Sequence, residues 1–230
     1  TSRLTSYVDN TSQATTRNTN TARVTQYADN TTRSTKSQNL ETHDVINTIS
    51  HIDKENRLLR PENLTKPSPG KGFEIFKTKN NFKIGVLNLM GNIFMKKCED
   101  VFKTAENNLA KYKIKKDMDF FIVDFHGEIT SEKMAIGHFF DGNATLVIGT
   151  HTHVPTSDMM ILKKGTAYQT DAGMCGDYNS VIGMNKENSL NRFLKKDSKK
   201  HYPEEGEATL SGLIDECNTS NGLAKKVETF

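Results

Sequence analysis

DFFIVDF, residues 119–125, is the stretch on which the reading of this chain turns. Its apolar middle is too short for a helix and rich in aromatic and β-branched side chains, so it reads as a strand buried in a sheet covered on both faces. ATLVIGT, residues 144–150, is a second strand of the same kind. Between them, residues 131–140 have helical spacing, with Met134, Ile136 and Phe139 as the expected packing residues.

Working outward, residues 97–112 predict another helix with Cys98, Val101, Phe102, Ala105, Leu109 and Tyr112 on its apolar side. Residues 73–77 and 82–90 read as paired strands around Asn80-Asn81, preceded by the turn-rich PSPGKGF at 67–73. Leu58-Leu59-Arg60-Pro61 reads as a short strand stopped by proline, and Val45, Ile46, Ile49 and Ile52 have helical spacing. Downstream, residues 159–162 and 167–170 flank Lys163-Lys164-Gly165 as a hairpin, and residues 208–216 and 223–228 suggest one more. Strands alternating with helices and followed by hairpins predict an α/β layered core.

Residues 1–40 have a different texture, dominated by Thr, Ser and Asn. RLTSYVDNTS at 3–12 recurs as RVTQYADNTT at 23–32, but the copies carry too few apolar residues to build a continuous solenoid core. This segment is expected to be a disordered, low-complexity tail, and residues 41–230 to form the domain. The 34% hydrophobic content and mean hydropathy of −0.64 average these unlike regions.

The net charge of +3 comes from 31 basic and 28 acidic residues spread along the chain, so charge gives no strong signal for nucleic acid or an anionic membrane. Cys98, Cys175 and Cys217 are widely spaced and never form a CxxC pair, which argues against a disulfide framework and a cysteine zinc site and predicts a cytoplasmic protein. No stretch approaches the roughly 18 apolar residues of a membrane span, and no secretory signal pattern is visible.

Both buried strands end in polar groups: Asp124-Phe125-His126-Gly127 after the first, Gly149-Thr150-His151-Thr152-His153 after the second. Sites in open α/β sheets form at the carboxyl ends of strands, so the two loops can meet. Imidazole nitrogen binds zinc, iron or manganese at about 2.0–2.2 Å, and alternate residues of an extended segment project to one side. Each histidine has the plainer alternative of a hydrogen-bonded or solvent-facing role. Asp124 either orients an imidazole or caps the strand end through loop amides. His43, His51, His138 and His201 lack such a setting and are assigned to surface or packing.

DFHGEITSEKMAIGHFFDGNATLVIGTHTHVPTSD, residues 124–158, resembles the YmdB family of bacterial calcineurin-like metallophosphoesterases. GTAYQTDAGMCGDYNSVIGM at 165–184, LLRPENL and PSPGKG extend the likeness over roughly three quarters of the chain. The resemblance implies a layered α/β metallophosphoesterase sandwich and a two-metal centre that splits phosphodiesters. Cyclic nucleotides are then the substrate class, iron or manganese the first candidate metals, and magnesium another. By position, His126 and His151 match ligands of one metal and His153 a ligand of the other. Two ions about 3.5–4 Å apart would hold the phosphate and acidify a bridging water for in-line attack. Asp124, Gly149 and Thr150 would support the site, the last two by letting the loop turn tightly beneath the ions. Asp171, Gly173 and Met174 match a family loop near the site. A homo-oligomer is left open.

The family's opening motifs, Asp-Val-Val-Gly, Gly-Glu-Asn and Gly-Asn-His, are not recognisable here. Asp9 and Asp29 sit inside the Thr-rich repeats, and NLETHDVINTI at 39–49 places Leu40 and Glu41 where the Asn and His should stand. Glu41 and His43 are the substitutes to consider. The sandwich is therefore expected to be incomplete at its amino terminus, with an uncovered sheet edge. Two ions are expected from the family, and one or none from the ligands recognised. Two readings follow: a phosphodiesterase with impaired turnover, or an inactive truncated relative acting as a metal-binding or structural, oligomerising protein.

Overall fold

The structure, a computed structural model, describes residues 51–230. The Thr-rich repeats, the boundary at residue 40, Glu41, His43 and most of the first expected helix lie outside the described residues.

Strands β1 (Phe73–Lys77) and β2 (Lys83–Met90) pair antiparallel from Phe73↔Leu87 to Lys77↔Lys83. Helix α1 (Val101–Lys111) begins at Asp100, whose carboxylate accepts from the Lys103 amide at 2.8 Å, an N-cap that satisfies one of the first-turn donors. Strand β3 (Phe120–His126), helix α2 (Thr130–Phe140) and strand β4 (Leu146–Thr150) follow. The hairpin of β5 (Met160–Ile161) and β6 (Ala167–Gln169) comes next, then helix α3 (Lys186–Phe193) and a second hairpin, β7 (Leu213–Cys217) and β8 (Ala224–Thr229). The main sheet runs β1-β2-β3-β4-β6-β5, with β2, β3, β4 and β6 parallel, and β7-β8 forms a separate pair. This is a mixed α/β fold, as expected.

Three local expectations change. The strand at Leu58–Pro61 reduces to a single bridge, Leu59↔Lys71, because Pro61 has no amide to extend the ladder. Helix α3, capped by Asn185, was not foreseen. On α2, Met134 and Phe139 are 44% and 37% exposed, whereas Glu132, Lys133, Ile136, Gly137 and Phe140 are buried. Ile136 packs as expected, but two charged side chains take core positions beside it, so an apolar criterion assigns Met134 and Phe139 wrongly.

Leu87, Leu89, Phe121, Val123, Phe125 and Val147 pack with Val101, Ala105, Ile136 and Phe140 into one core between sheet and helices. Strand alternation puts Asn88, Asp124, His126, Ile148 and Thr150 on the other face. There a smaller apolar cluster of Ile148 and Ala172 receives Leu213 from β7. Asn63 acts as an extra rung beside β2: its amide donates to the Met90 carbonyl at 2.7 Å, and its oxygen accepts from the Met90 amide at 2.9 Å.

On β7, both carboxyl oxygens of Asp215 are buried, and the Cys217 thiol beside them only partly offsets that burial. Burial pushes this acid up to about 6 from an ordinary value of 3.8. Because the folded-state value is the higher one, folding favours the protonated acid, and that contribution is complete below about pH 4 and lost as pH rises through about 6. The group is partly exposed, so the cost is discounted to about 1 kcal/mol, and Asp215→Val is expected to raise Tm by about 2–4 °C at pH 7.5. Thermal melts at pH 4 should show no such advantage; an equal gap at both pH values would assign the effect to something other than this carboxyl.

Candidate functional site

The parallel register of β3 and β4 sets His126 directly beside Thr150, the last residue of its strand. His126 Nδ1 lies 3.1 Å from Thr150 Oγ1, and the Thr150 hydroxyl reaches Asp124 Oδ1 at 3.5 Å. Asp124 is fully buried and accepts from Asn88 Nδ2 at 2.9 Å. Burial pushes Asp124 up to about 8 despite these hydrogen bonds, with the nearby Asp171 charge adding to the rise. Asp124 thus supports His126 through Thr150.

His151 follows β4 and turns towards His126. The two rings are 4.7 Å apart and nearly perpendicular, and His126 Nε2 lies 3.0 Å from His151 Nδ1. The other nitrogen of His151, Nε2, lies 3.0 Å from Glu128 Oε2. Two nitrogens facing each other at this distance cannot both be lone pairs or both be N–H groups; one proton, or one metal cation, fits between them. With metal–nitrogen bonds of about 2.1 Å, two adjacent ligands of one ion stand about 3.0–3.4 Å apart, so the pair also has the spacing of two ligands on one centre.

His153 is turned elsewhere: its Nδ1–H donates to the Ile182 carbonyl at 2.7 Å, which leaves the lone pair of the neutral ring on Nε2. His151 and His153 have φ of 112° and 68°. Extended alternation therefore does not apply to Thr150–His153, and the expectation that the two rings project together is corrected by this backbone. Among the described residues no group of three or more His, Cys, Asp or Glu gathers around one point. They supply two converging donors, which fit part of a metal site.

Gly149 lies inside β4 rather than at a turn. Its need for glycine is spatial: a Cβ there would stand 1.7 Å from the Thr170 carbonyl oxygen, and its own carbonyl accepts from the Ala172 amide at 2.9 Å. The tight turn expected at Gly149-Thr150 is thus a close approach of two backbones, which brings the segment after β6 against the histidine loop.

That segment carries Asp171, which the sequence placed in a loop near the site without indicating its partner. Asp171 is fully buried and pairs with Lys133 of α2, Nζ to Oδ2 at 2.7 Å, with neither side chain accessible. The same carboxylate accepts from the amides of Thr152 and Gly173, each at 2.9 Å. Glu128 was also missed. A carboxylate two residues after a candidate ligand was the available signal for Glu128, whereas no local pattern marked Lys133 on a helix that also carries Glu132 and His138.

Residues 38–230 match the family described as YmdB-like protein. The chain is 39% identical over 187 residues to a 2',3'-cyclic-nucleotide 2'-phosphodiesterase of Bacillus subtilis, covering 81% of this chain and 70% of that one. A crystal structure of a hypothetical protein from Thermus thermophilus superposes with a TM-score of 0.72 at 32% identity, covering 86% of this chain and 80% of that one. A novel phosphatase from Mycoplasma pneumoniae gives 0.71 at 35% identity, covering 80% of this chain and 66% of its own. No helix among the described residues is long and apolar enough to cross a membrane.

Proposed function

The chain belongs to the YmdB-like protein family, and from that premise we propose that it is a metal-dependent phosphodiesterase acting on cyclic nucleotides. The observation that carries this reading is the facing pair, His126 Nε2 and His151 Nδ1, 3.0 Å apart at the carboxyl edge of the parallel sheet. These two nitrogens would hold one ion, and His153 would offer Nε2. Bound there, an ion supplies charge neutralisation for a phosphate oxygen and a lowered pKa for water. The chain's own part is orientation. Thr150 holds the outer nitrogen of His126, Glu128 that of His151, and the Ile182 carbonyl that of His153. The name of the Bacillus subtilis relative supports 2',3'-cyclic nucleotides as the first substrates to test.

A second reading is a chain that binds one ion and does not turn over, since the described residues bring two ring nitrogens, those of His126 and His151, to one point. Metal analysis of the purified chain, alongside hydrolysis of 2',3'-cyclic AMP before and after chelation, separates the two. Chelator-sensitive hydrolysis restored by Mn²⁺ is expected of the enzyme, while one ion or none with no hydrolysis supports the second reading. Replacing groups that merely support a ligand costs about 10–100-fold in affinity, so His151→Ala, which removes a donor, is expected to lower metal affinity and hydrolysis by on the order of 100-fold or more. Unchanged metal content in that variant would remove His151 from the site.

A further inference from the structure

His151 and His153 both have positive φ, a conformation rare for side chains of this kind, and they flank a single amide, that of Thr152. That amide donates to Asp171 Oδ2, the oxygen that also receives Lys133 Nζ. The other carboxylate oxygen takes the Gly173 amide. The Asp171 backbone is tied to the same loop a few residues on: the Thr156 amide donates to the Asp171 carbonyl at 3.0 Å, and the Asp171 amide donates to Thr156 Oγ1 at 2.9 Å. Residues 152–156 are therefore fastened at both ends to one buried aspartate, and that aspartate is fastened to helix α2 through Lys133.

We propose that Lys133 and Asp171 are the positioning residues of the imidazole centre: their buried pair holds the Thr152 amide, and through it the strained backbone that aims His151 and His153. The proposal rests on the reading of these imidazoles as metal donors. A carboxylate is needed because one group must accept from an ammonium and two amides at once, and only an ionised acid offers that many acceptor sites. The lysine is needed because a carboxylate with no accessible surface requires a countercharge. Neither residue touches the ion or substrate in this scheme. The pair acts by removing the loop's freedom to relax into ordinary φ values that would swing His151 away from His126 and His153 away from the Ile182 carbonyl.

Two double variants of the full chain isolate this role, since both remove the buried charges. Lys133→Met with Asp171→Asn keeps an oxygen to accept from Thr152 and gives up the acceptor of the Gly173 amide, whereas Lys133→Met with Asp171→Leu fills the space with no acceptor for either. Mn²⁺ titration, followed by paramagnetic broadening of the histidine ring signals, should show the Asn pair close to the parent and the Leu pair about 10–100-fold weaker. Equal affinity in the two variants would overturn the proposal. In the metal-free state, the ring signals of His151 and His153 should move in the Leu pair and stay in place in the Asn pair; unmoved signals in both would also overturn it. Should the Leu pair fail to fold, amide exchange in the parent chain decides: the Thr152 amide is expected to be as protected as those of β4, and exchange at the rate of an open turn would end the idea. Failure of the parent to bind Mn²⁺ would count against the phosphodiesterase reading, while amide exchange and the metal-free ring signals would still decide the clamp.

Discussion

Lys133→Met is expected to destabilise the protein by about 3–5 kcal/mol, one of the two largest losses foreseen for a single substitution here. The methionine fills much the same space, so packing is not the cause. What is lost is the countercharge of Asp171, whose carboxylate then stays buried with only amides to face. In a domain of this size the loss corresponds to a fall in Tm on the order of 10 °C, read equally well as a lower denaturant midpoint at unchanged slope. Adding Asp171→Leu should recover most of it, because an apolar pair of similar volume is often as stable as a buried ion pair. If the single variant melts within a degree of the parent, the pair is not an isolated charge couple and its assignment as the clamp falls with it.

Gly149→Ala is expected to be as severe for a different reason. The added methyl would meet the Thr170 carbonyl oxygen at 1.7 Å, and that oxygen is backbone just after β6, so no side chain can rotate away. Overpacking usually costs about 1–3 kcal/mol, and a clash with fixed backbone belongs at or above the top of that range. The clash also pushes the segment carrying Asp171 away from the histidine loop. Denaturant melts should show the loss of stability, and ring signals of His126 and His151 should show the loss of their contact. Intact stability would mean that β4 and the segment after β6 separate more easily than their hydrogen bond from Ala172 to Gly149 implies.

The central elements were legible because their sequence signals are physical necessities. The runs at 120–126 and 146–150 have no polar residue until their carboxyl ends, so they could only be strands buried on both faces, and the turn at Lys163-Lys164-Gly165 could only join a hairpin. His126 and His151 were legible as a pair for the same reason, since parallel neighbouring strands put their ends together. Three things were hidden. The face of α2 was read correctly at Ile136 and missed at Lys133, which enters the core only when Asp171, 38 residues away, is there to receive it, and no local pattern encodes that partner. The divergence of His153 from His151 follows from positive φ at two non-glycine residues, which sequence alternation assumes away. Helix α3 was missed because its stripe is broken by polar residues, with Asn188 and Ser189 taking its buried positions.

The pairing of His126 with Thr150 is the final rung of the β3-β4 ladder, and it couples heredity of the core to heredity of the site. A one-residue insertion in either strand would slip the register and exchange the faces, sending the imidazole among the helices and Phe125 or Gly149 to the open side. Strand length is therefore tied to the placement of the imidazole, and a change in it disturbs packing and the candidate site together.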